Sequence, residues 1–311
     1  MGARICVVGS ANYDLTARVA RMPRMGETLQ GHAFEAGYGG KGANQAVMAA
    51  HLGAAVHLVA RVGRDAFGVD TLQHYKALGI VTRDVRIDDA HPTGVALIFV
   101  DDAGHNLIVT VPGANAALSP ADVQAARAAV EGADLVLGQR EVPVDATLAA
   151  FQLAKAAGRR TILNPAPAGP LPPELLRLTD ICVLNEAETD QLTGRPVATL
   201  ADADAAAQEL RARGPGVVIV TLGAQGVLCG QAGGGEHLPA PRVQPVDTTG
   251  AGDAFIGSLA TFLAEGIALH PAIWRANAAA ALSVQTVGAQ ASFPTRAAID
   301  AFLAGLAATK S

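Results

Sequence analysis

The sequence predicts an α/β fold with a mostly parallel central sheet covered by helices on both faces. Three observations predict it. Short apolar runs of buried-strand character recur at 5–8, 56–62, 135–137, 161–163, 181–184 and 217–222. Helical patterns lie between several of them, at 42–52, 68–78, 120–130, 145–157 and 202–211. Strand, helix, strand at this rhythm is the pattern of parallel pairing through crossover helices. Half of the 311 residues are hydrophobic, enough for one large α/β domain or two small ones. No repeat or low-complexity linker divides the chain, so a single domain over 1–311 is expected.

The first strand, Ile5-Cys6-Val7-Val8, runs into Gly9 and then Ser10, Asn12 and Asp14. Ligands in such folds gather at the carboxyl ends of strands, so Asn12 and Asp14 are site candidates, with turn capping as the plainer alternative. Two segments break the rhythm. Residues 15–36 alternate loosely and contain Pro23 and Gly26; residues 93–110 read as two apolar strands around the acidic turn Asp101-Asp102-Ala103-Gly104. Neither leads into a crossover helix. Together they predict a small β-rich insertion beside the main sheet, whose apolar edges a partner subunit would cover. The chain ends in an alanine-rich helix from about Pro271 to Ser283 and an amphipathic one from Arg296.

Composition narrows the partners. A net charge of −5 with no long basic block weighs against nucleic acid and anionic membranes. Three widely spaced cysteines form no CxxC pair and suit a reducing compartment; scattered histidines with no HExxH argue against zinc. The start lacks an export signal and no later run resembles a membrane span, so a cytoplasmic location is expected.

The chemistry concentrates in VDTTGAGDAF, residues 246–255. Helical periodicity begins near Gly252, with Phe255, Leu259, Phe262 and Leu263 on one side, so Gly250, Ala251, Gly252 and Asp253 sit at a helix N-terminus. Amides without helical partners point there at whatever occupies the space, and small side chains leave room for an anion. That suits charge developing on a transferring phosphoryl group. Asp253 repels an anion but makes sense as a general base on an attacking alcohol. Asp247, six residues earlier, is placed to ligate a cation or brace the loop. Gly-x-Gly-Asp alone is equally an ordinary tight turn with an acid in its first helical turn.

A second cluster, GYGGKGANQ at 37–45, combines close-approach glycines with Lys41 and Asn44. It is not a Walker A loop, because Lys41 is followed by Gly42 and the spacing is wrong. The bifunctional amide of Asn44 suits sugar hydroxyls, and with Asn12 and Asp14 it predicts a polyol site. GSANYD lacks GxGxxG, so a dinucleotide site is not indicated.

Taken together, DTTGAGDAF and GGKGANQAVMAAHLG (39–53) resemble the two signatures of the ribokinase (PfkB) family of carbohydrate and nucleoside kinases, and the resemblance runs from the first strand to Pro294. Asn12-Tyr13-Asp14, PGANAALSP (112–120), NPAPA (164–168), NEAE (185–188) and GAQ (288–290) are similar to the ribose-specific branch rather than the adenosine, fructose or ketodeoxygluconate branches. The resemblance implies the ribokinase-like three-layer α/β/α fold with a β lid from inserts at about 14–38 and 92–112, which also makes a homodimer contact. It implies ATP-dependent phosphorylation of D-ribose at O5. Asp253 would be the catalytic base, with Gly250, Ala251 and Gly252 as the anion hole. Asn12, Asp14, Gly40, Lys41, Asn44 and Glu141 would surround the sugar with Asp253. Asn185 would lie near the ATP phosphates, and Thr221, Gly223, Gly226, Gly252 and Asn277 would line the nucleotide site. Glu188 would help hold Mg²⁺, through water. Asp247, Thr249, Ser283, Thr286, Gly288 and Ser292 would hold K⁺, mostly by backbone carbonyls. Thr286 stands where many relatives carry Arg, a change that a backbone ligand survives. The alternatives are a sibling kinase for 2-deoxyribose, another pentose, fructose or adenosine; a sugar-binding module without chemistry; and an oxidoreductase, which would need the missing GxGxxG loop. Neutral Asn12 favours ribose over the deoxy sugar.

Overall fold

The structure, a computed structural model, describes residues 2–308. The chain begins with β1 (Arg4–Val8), β2 (Asn12–Val19), β3 (Ala33–Gly39), α1 (Lys41–His51), β4 (Ala55–Gly63), α2 (Ala66–Ala77) and β5 (Val85–Asp88). It continues through β6 (Gly94–Asp101), β7 (Asn106–Val111), α3 (Pro120–Ala125), α4 (Arg127–Gly132), β8 (Leu135–Gly138), α5 (Val144–Ala156), β9 (Arg160–Leu163) and α6 (Pro173–Arg177). The elements that follow are β10 (Ile181–Asn185), α7 (Glu186–Thr193), α8 (Leu200–Ala212), β11 (Val217–Thr221), β12 (Val227–Gln231), β13 (Gly234–Leu238), α9 (Ala251–Ala264), α10 (Leu269–Ser283) and α11 (Arg296–Ala308).

A nine-stranded sheet has the order β13-β12-β11-β10-β9-β8-β1-β4-β5. It is parallel from β11 to β5, and β12 and β13 add antiparallel at one edge. Alternate residues of β1 divide the two faces. Ile5 and Val7 pack with α1, α9 and α10, while Cys6 and Val8 pack with α3 to α5. A third cluster joins Cys182, Leu184, Val218 and Val220 to α8. From β1 the chain moves outward to β4 and β5 on one side and later returns to β8 on the other. The switch point therefore lies at the carboxyl end of β1, where crevices open in such sheets.

A separate four-stranded sheet has the order β3-β2-β6-β7, with β2 and β6 parallel and the outer pairs antiparallel. It is assembled from the two segments that broke the strand–helix rhythm. Its outer strand exposes Leu107, Ile108, Val109 and Val111, and Phe34 is exposed on the opposite edge strand.

Two glycines set the approach of α1 to the strand ends. Gly40 caps the helix at φ 87°, and a Cβ there would stand 2.8 Å from the Asn12 nitrogen. At Gly42 a Cβ would lie 2.6 Å from the Ser10 nitrogen. Any side chain would push α1, and with it Lys41 and Asn44, away from the end of β1.

Two details depart from expectation. The helix read over 120–130 is broken at Ala126, where the backbone (φ −89°, ψ 10°) leaves helical values. The β12–β13 hairpin has a turn signal in Gly233 and Gly234, both at positive φ, but Gly230 and the polar second strand hid its strand pattern. No helix among the described residues is long and apolar enough to cross a membrane.

Candidate active site

The N-terminus of α9 is built as its sequence suggested. Gly250 takes the left-handed conformation (φ 76°), the Ala251 amide donates to the Thr248 carbonyl at 3.2 Å, and helical bonding begins with Ala254 donating to Gly250. Gly252 and Asp253, in the first turn where amides lack helical partners, line a cavity of 220 Å³ with Lys41, Asn185, Glu188 and Thr221. Beyond its chain neighbours and its own helix backbone, no atom of the described residues lies within 4 Å of where a Gly252 Cβ would stand, so the missing side chain leaves that space open.

Asp253 is buried and both its oxygens accept amide hydrogens. Asn44 donates to Oδ2 at 2.9 Å and Gln45 to Oδ1 at 3.0 Å. Burial pushes its carboxyl above the ordinary range; the Lys41 charge and the two amides pull it back, and nearby Glu141 pushes it up again. These amides keep the carboxylate oriented and ionisable, and no cation among the described residues pairs with it at hydrogen-bond distance, which is what a base facing an alcohol needs.

Lys41 is a cation set among these acids. Burial works against its charge, but Asp253, Glu141 and Glu188 more than compensate, and its pKa is raised. Glu141 follows β8 and accepts from the Ser10 hydroxyl at 2.6 Å and from the Lys41 amide at 2.9 Å, so it ties the ends of β1, β8 and α1 together. Asn12 is buried. Its Oδ1 accepts from Asn115 at 2.7 Å, while Asn115 itself is clamped by both the amide and the carbonyl of Ala11. The Asn12 NH2 is thereby turned away from Asn115 as a donor for a ligand.

Asp14, on β2, lines a second cavity, with Tyr38 and His74, close enough to Glu141 and Asp253 to feel their charge. Burial first, then Glu141 and Asp253, push its carboxyl up to about 7. A folded-state pKa raised above the ordinary 3.8 means the native protein holds a proton the unfolded chain has released. Stability from this group is full below about 4 and is lost as pH rises towards 7. Asp14→Asn is therefore expected to flatten the fall of Tm from pH 4 to 7 in ligand-free protein. It should not abolish it, because Asp253 shifts the same way. An unchanged slope in thermal melts would remove Asp14 from this carboxylate group.

The residues expected on the nucleotide side divide. Asn185 and Glu188 form a capping box on α7: the Glu188 amide donates to Asn185 Oδ1 at 2.8 Å, and the Asn185 amide donates to Glu188 Oε2 at 3.0 Å. Both line the 220 Å³ cavity with Thr221, whose hydroxyl donates to the Leu184 carbonyl. Gly223 and Gly226 form the turn after β11 and do not line that cavity. Gly226 and Asn277 meet the 238–240 segment: a Gly226 Cβ would stand 2.3 Å from the Leu238 carbonyl oxygen, towards which Asn277 donates at 3.4 Å.

Around the other end of the 246–252 loop, Asp247 accepts from Thr249 (amide and hydroxyl) and from the Gly288 amide at 2.8 Å. The amides of Val246 and Asp247 donate to the Val284 carbonyl, and that of Thr286 to the Ser283 carbonyl. Asp247, Thr249 and Gly288 thus lie together, with Ser283 and Thr286 on the adjoining turn and Ser292 beyond it. Asp247 clearly braces the loop.

Several polar residues of the site were not singled out by sequence. Ser10 accepts from the Gly42 amide, Gln45 holds Asp253, Asn164 accepts from Gln45 at 3.3 Å, and Gln290 donates to Asn44 at 2.9 Å. Gln45 had a signal, since it follows Asn44 at the buried start of a helix. Asn164 and Gln290 stand inside the quoted strings NPAPA and GAQ, but nothing local said what they touch.

Comparison with known proteins places these features in context. The chain matches the profile described as pfkB family carbohydrate kinase over residues 3–296. The ribokinase of Mus musculus is 42% identical over 94% of this chain and 92% of its own length. The deoxyribokinase of Salmonella typhi is 40% identical over 94% of this chain and 95% of its own. The solved structure of Arabidopsis thaliana ribokinase, complexed with ribose and ATP, matches with a TM-score of 0.90 at 34% identity, covering 97% of this chain and 99% of that one.

Proposed function

The chain belongs to the pfkB family of carbohydrate kinases, and on that premise we propose that it transfers the γ-phosphoryl group of ATP to O5 of D-ribose. The observation that carries the chemistry is Asp253: a buried carboxylate held by two amides in the first turn of a helix whose open N-terminus faces a cavity. Asp253 accepts the O5 proton as the O5–Pγ bond forms and the bond from Pγ to the ADP oxygen breaks. The amides at the start of α9 and the charge of Lys41 stabilise the phosphoryl oxygens in flight. Asn12, Asp14, Gly40, Lys41, Asn44 and Glu141 enclose the sugar, with donors from the amides and acceptors from the acids. Asn185, Thr221, Gly223, Gly226 and Asn277 border the ATP.

The residues suit the ions the family implies. Glu188 spends one carboxylate oxygen on its helix cap, and the other, in the cavity that carries the anion hole, suits Mg²⁺ held through water. Asp247, Thr249, Ser283, Thr286, Gly288 and Ser292 offer only oxygen ligands, the donor type a hard monovalent cation takes, and Thr286 contributes through its backbone. When bound, the ions add positive potential beside the phosphates. The small sheet acts as a lid that excludes water on closing, and its exposed strand β7 pairs two copies into a homodimer. The three thiols are buried and unpaired, in keeping with the reducing cytoplasm.

A second reading has its own support. A deoxyribokinase is nearly as similar to this chain as a ribokinase, so 2-deoxyribose is the competing acceptor. The Asn12 NH2, fixed by Asn115, favours the sugar with one more hydroxyl to accept from it. Coupled ADP-release assays over ribose, 2-deoxyribose, fructose and adenosine, each in K⁺ and in Na⁺, decide the matter. Highest kcat/KM on ribose with stimulation by K⁺ is expected. Preference for 2-deoxyribose establishes the second reading, and turnover of none of the four rejects both.

A further inference from the structure

Asn44 uses both ends of its amide. Its NH2 donates to Asp253, and its Oδ1 accepts from Gln290 Nε2 at 2.9 Å. Gln290 must then turn its own oxygen outward, where His74 Nε2 lies at 3.0 Å, so the histidine proton sits on Nε2. The His74 ring stacks on Tyr38 of strand β3, with centroids 3.8 Å apart and planes 7° from parallel. The Tyr38 hydroxyl donates to Asp70 at 2.9 Å, one turn before His74 on α2, and Tyr13 of β2 donates to the same carboxylate at 3.0 Å. A directed chain of hydrogen bonds therefore runs from His74 on α2, through Gln290 and Asn44, to the base, and the ring stack on Tyr38 joins it to the small sheet. Each link faces one way only: reversing any amide would set oxygen against oxygen or NH2 against NH2.

We infer that Gln290 and His74 are positioning residues of the reaction, which hold the Asn44 amide with its NH2 towards Asp253 and tie that orientation to Tyr38 on the lid. Neither touches the reacting atoms; both act through Asn44. The inference deepens the kinase reading and rests on it.

Gln290→Met keeps the size of the side chain but removes its donor, freeing Asn44 to turn its oxygen to the carboxylate. kcat is expected to fall about tenfold, the order of one well-placed hydrogen bond, with the KM for sugar changed less than threefold. Gln290→Glu should lower kcat further, because a carboxylate can only accept and turns Asn44 round. His74→Phe keeps the stack and removes the proton donor, and should cost about threefold. It also changes α2 and leaves the chain of the loop that carries Gly288 and Ser292 unaltered, so a loss there tests the link without substituting the candidate cation site.

In an Asn44→Ala background each of these changes should cost less than twofold more, since the residues act through Asn44. Full additivity in that background, or wild-type kcat in Gln290→Met, overturns the inference. Should the Gln290 variants not fold, His74→Phe with and without Asn44→Ala decides by the same criterion. A reading without turnover comes from titrating the Asp253 carboxyl by ¹³C NMR, with Lys41, Glu141 and Asp14 as the charged groups around it. Gln290→Met should raise its pKa, and should not in the Asn44→Ala background; no rise in either overturns the inference. Wild-type protein that turns over no sugar rejects the kinase reading instead, and the titration still decides the role of Gln290.

Discussion

Replacing Asp253 by asparagine is expected to lower kcat by about a thousandfold or more, within the range that general bases contribute. Sugar binding should persist within about tenfold, because most of the groups around the sugar keep their places. The structure adds a reason for severity. Both Asp253 oxygens accept from amide NH2 groups, of Asn44 and of Gln45. An asparagine has one oxygen, so one of the two amides would face its NH2 and have to turn away. The loss should therefore exceed that of the proton acceptor alone, and part of it should return when Asn44→Asp is combined with Asp253→Asn to restore an acceptor opposite the new NH2. Near-normal ADP release by Asp253→Asn, with folding confirmed by thermal melting, would exclude Asp253 as the base.

Lys41→Met is expected to reduce kcat/KM about a hundredfold, similar to removing one preorganised donor from a developing anion. It should also shift the pH profile. The Lys41 charge holds Asp253 below the value that burial would impose, so its loss raises the Asp253 pKa. The base works only when ionised. The acidic limb of the kcat profile must then move to higher pH, and activity lost at pH 6 should partly return by pH 8. Lys41→Arg keeps the charge and should leave the limb in place even where geometry costs rate. A limb that stays put in Lys41→Met would show that Lys41 does not control the carboxylate.

How much could be read in advance follows the range of each interaction. The parallel strands were visible because a strand buried on both faces is a continuous apolar run, as in Ile5-Cys6-Val7-Val8. The α9 terminus was visible because Gly250 must adopt positive φ and Gly252 must leave space, both properties of the chain within a few residues. Gly40 and Gly42 belong to the same class. The two segments of the small sheet stood out because they interrupted a rhythm, although nothing in them told that β2 would pair parallel to β6.

By itself, then, the amino-acid sequence determined which backbone turns can receive an anion, which acid stands in the first helical turn after one of them, and which face of each strand is apolar. Folding decided what those groups touch. Asn44 reaches Asp253 across 209 positions and Gln290 across 246, and Asp14 acquires its raised pKa only because Glu141 and Asp253 close in on it. Glycine conformation and strand alternation are local steric facts, written wherever the residues are. The direction of an amide and the acidity of a carboxyl depend on neighbours that packing alone brings near.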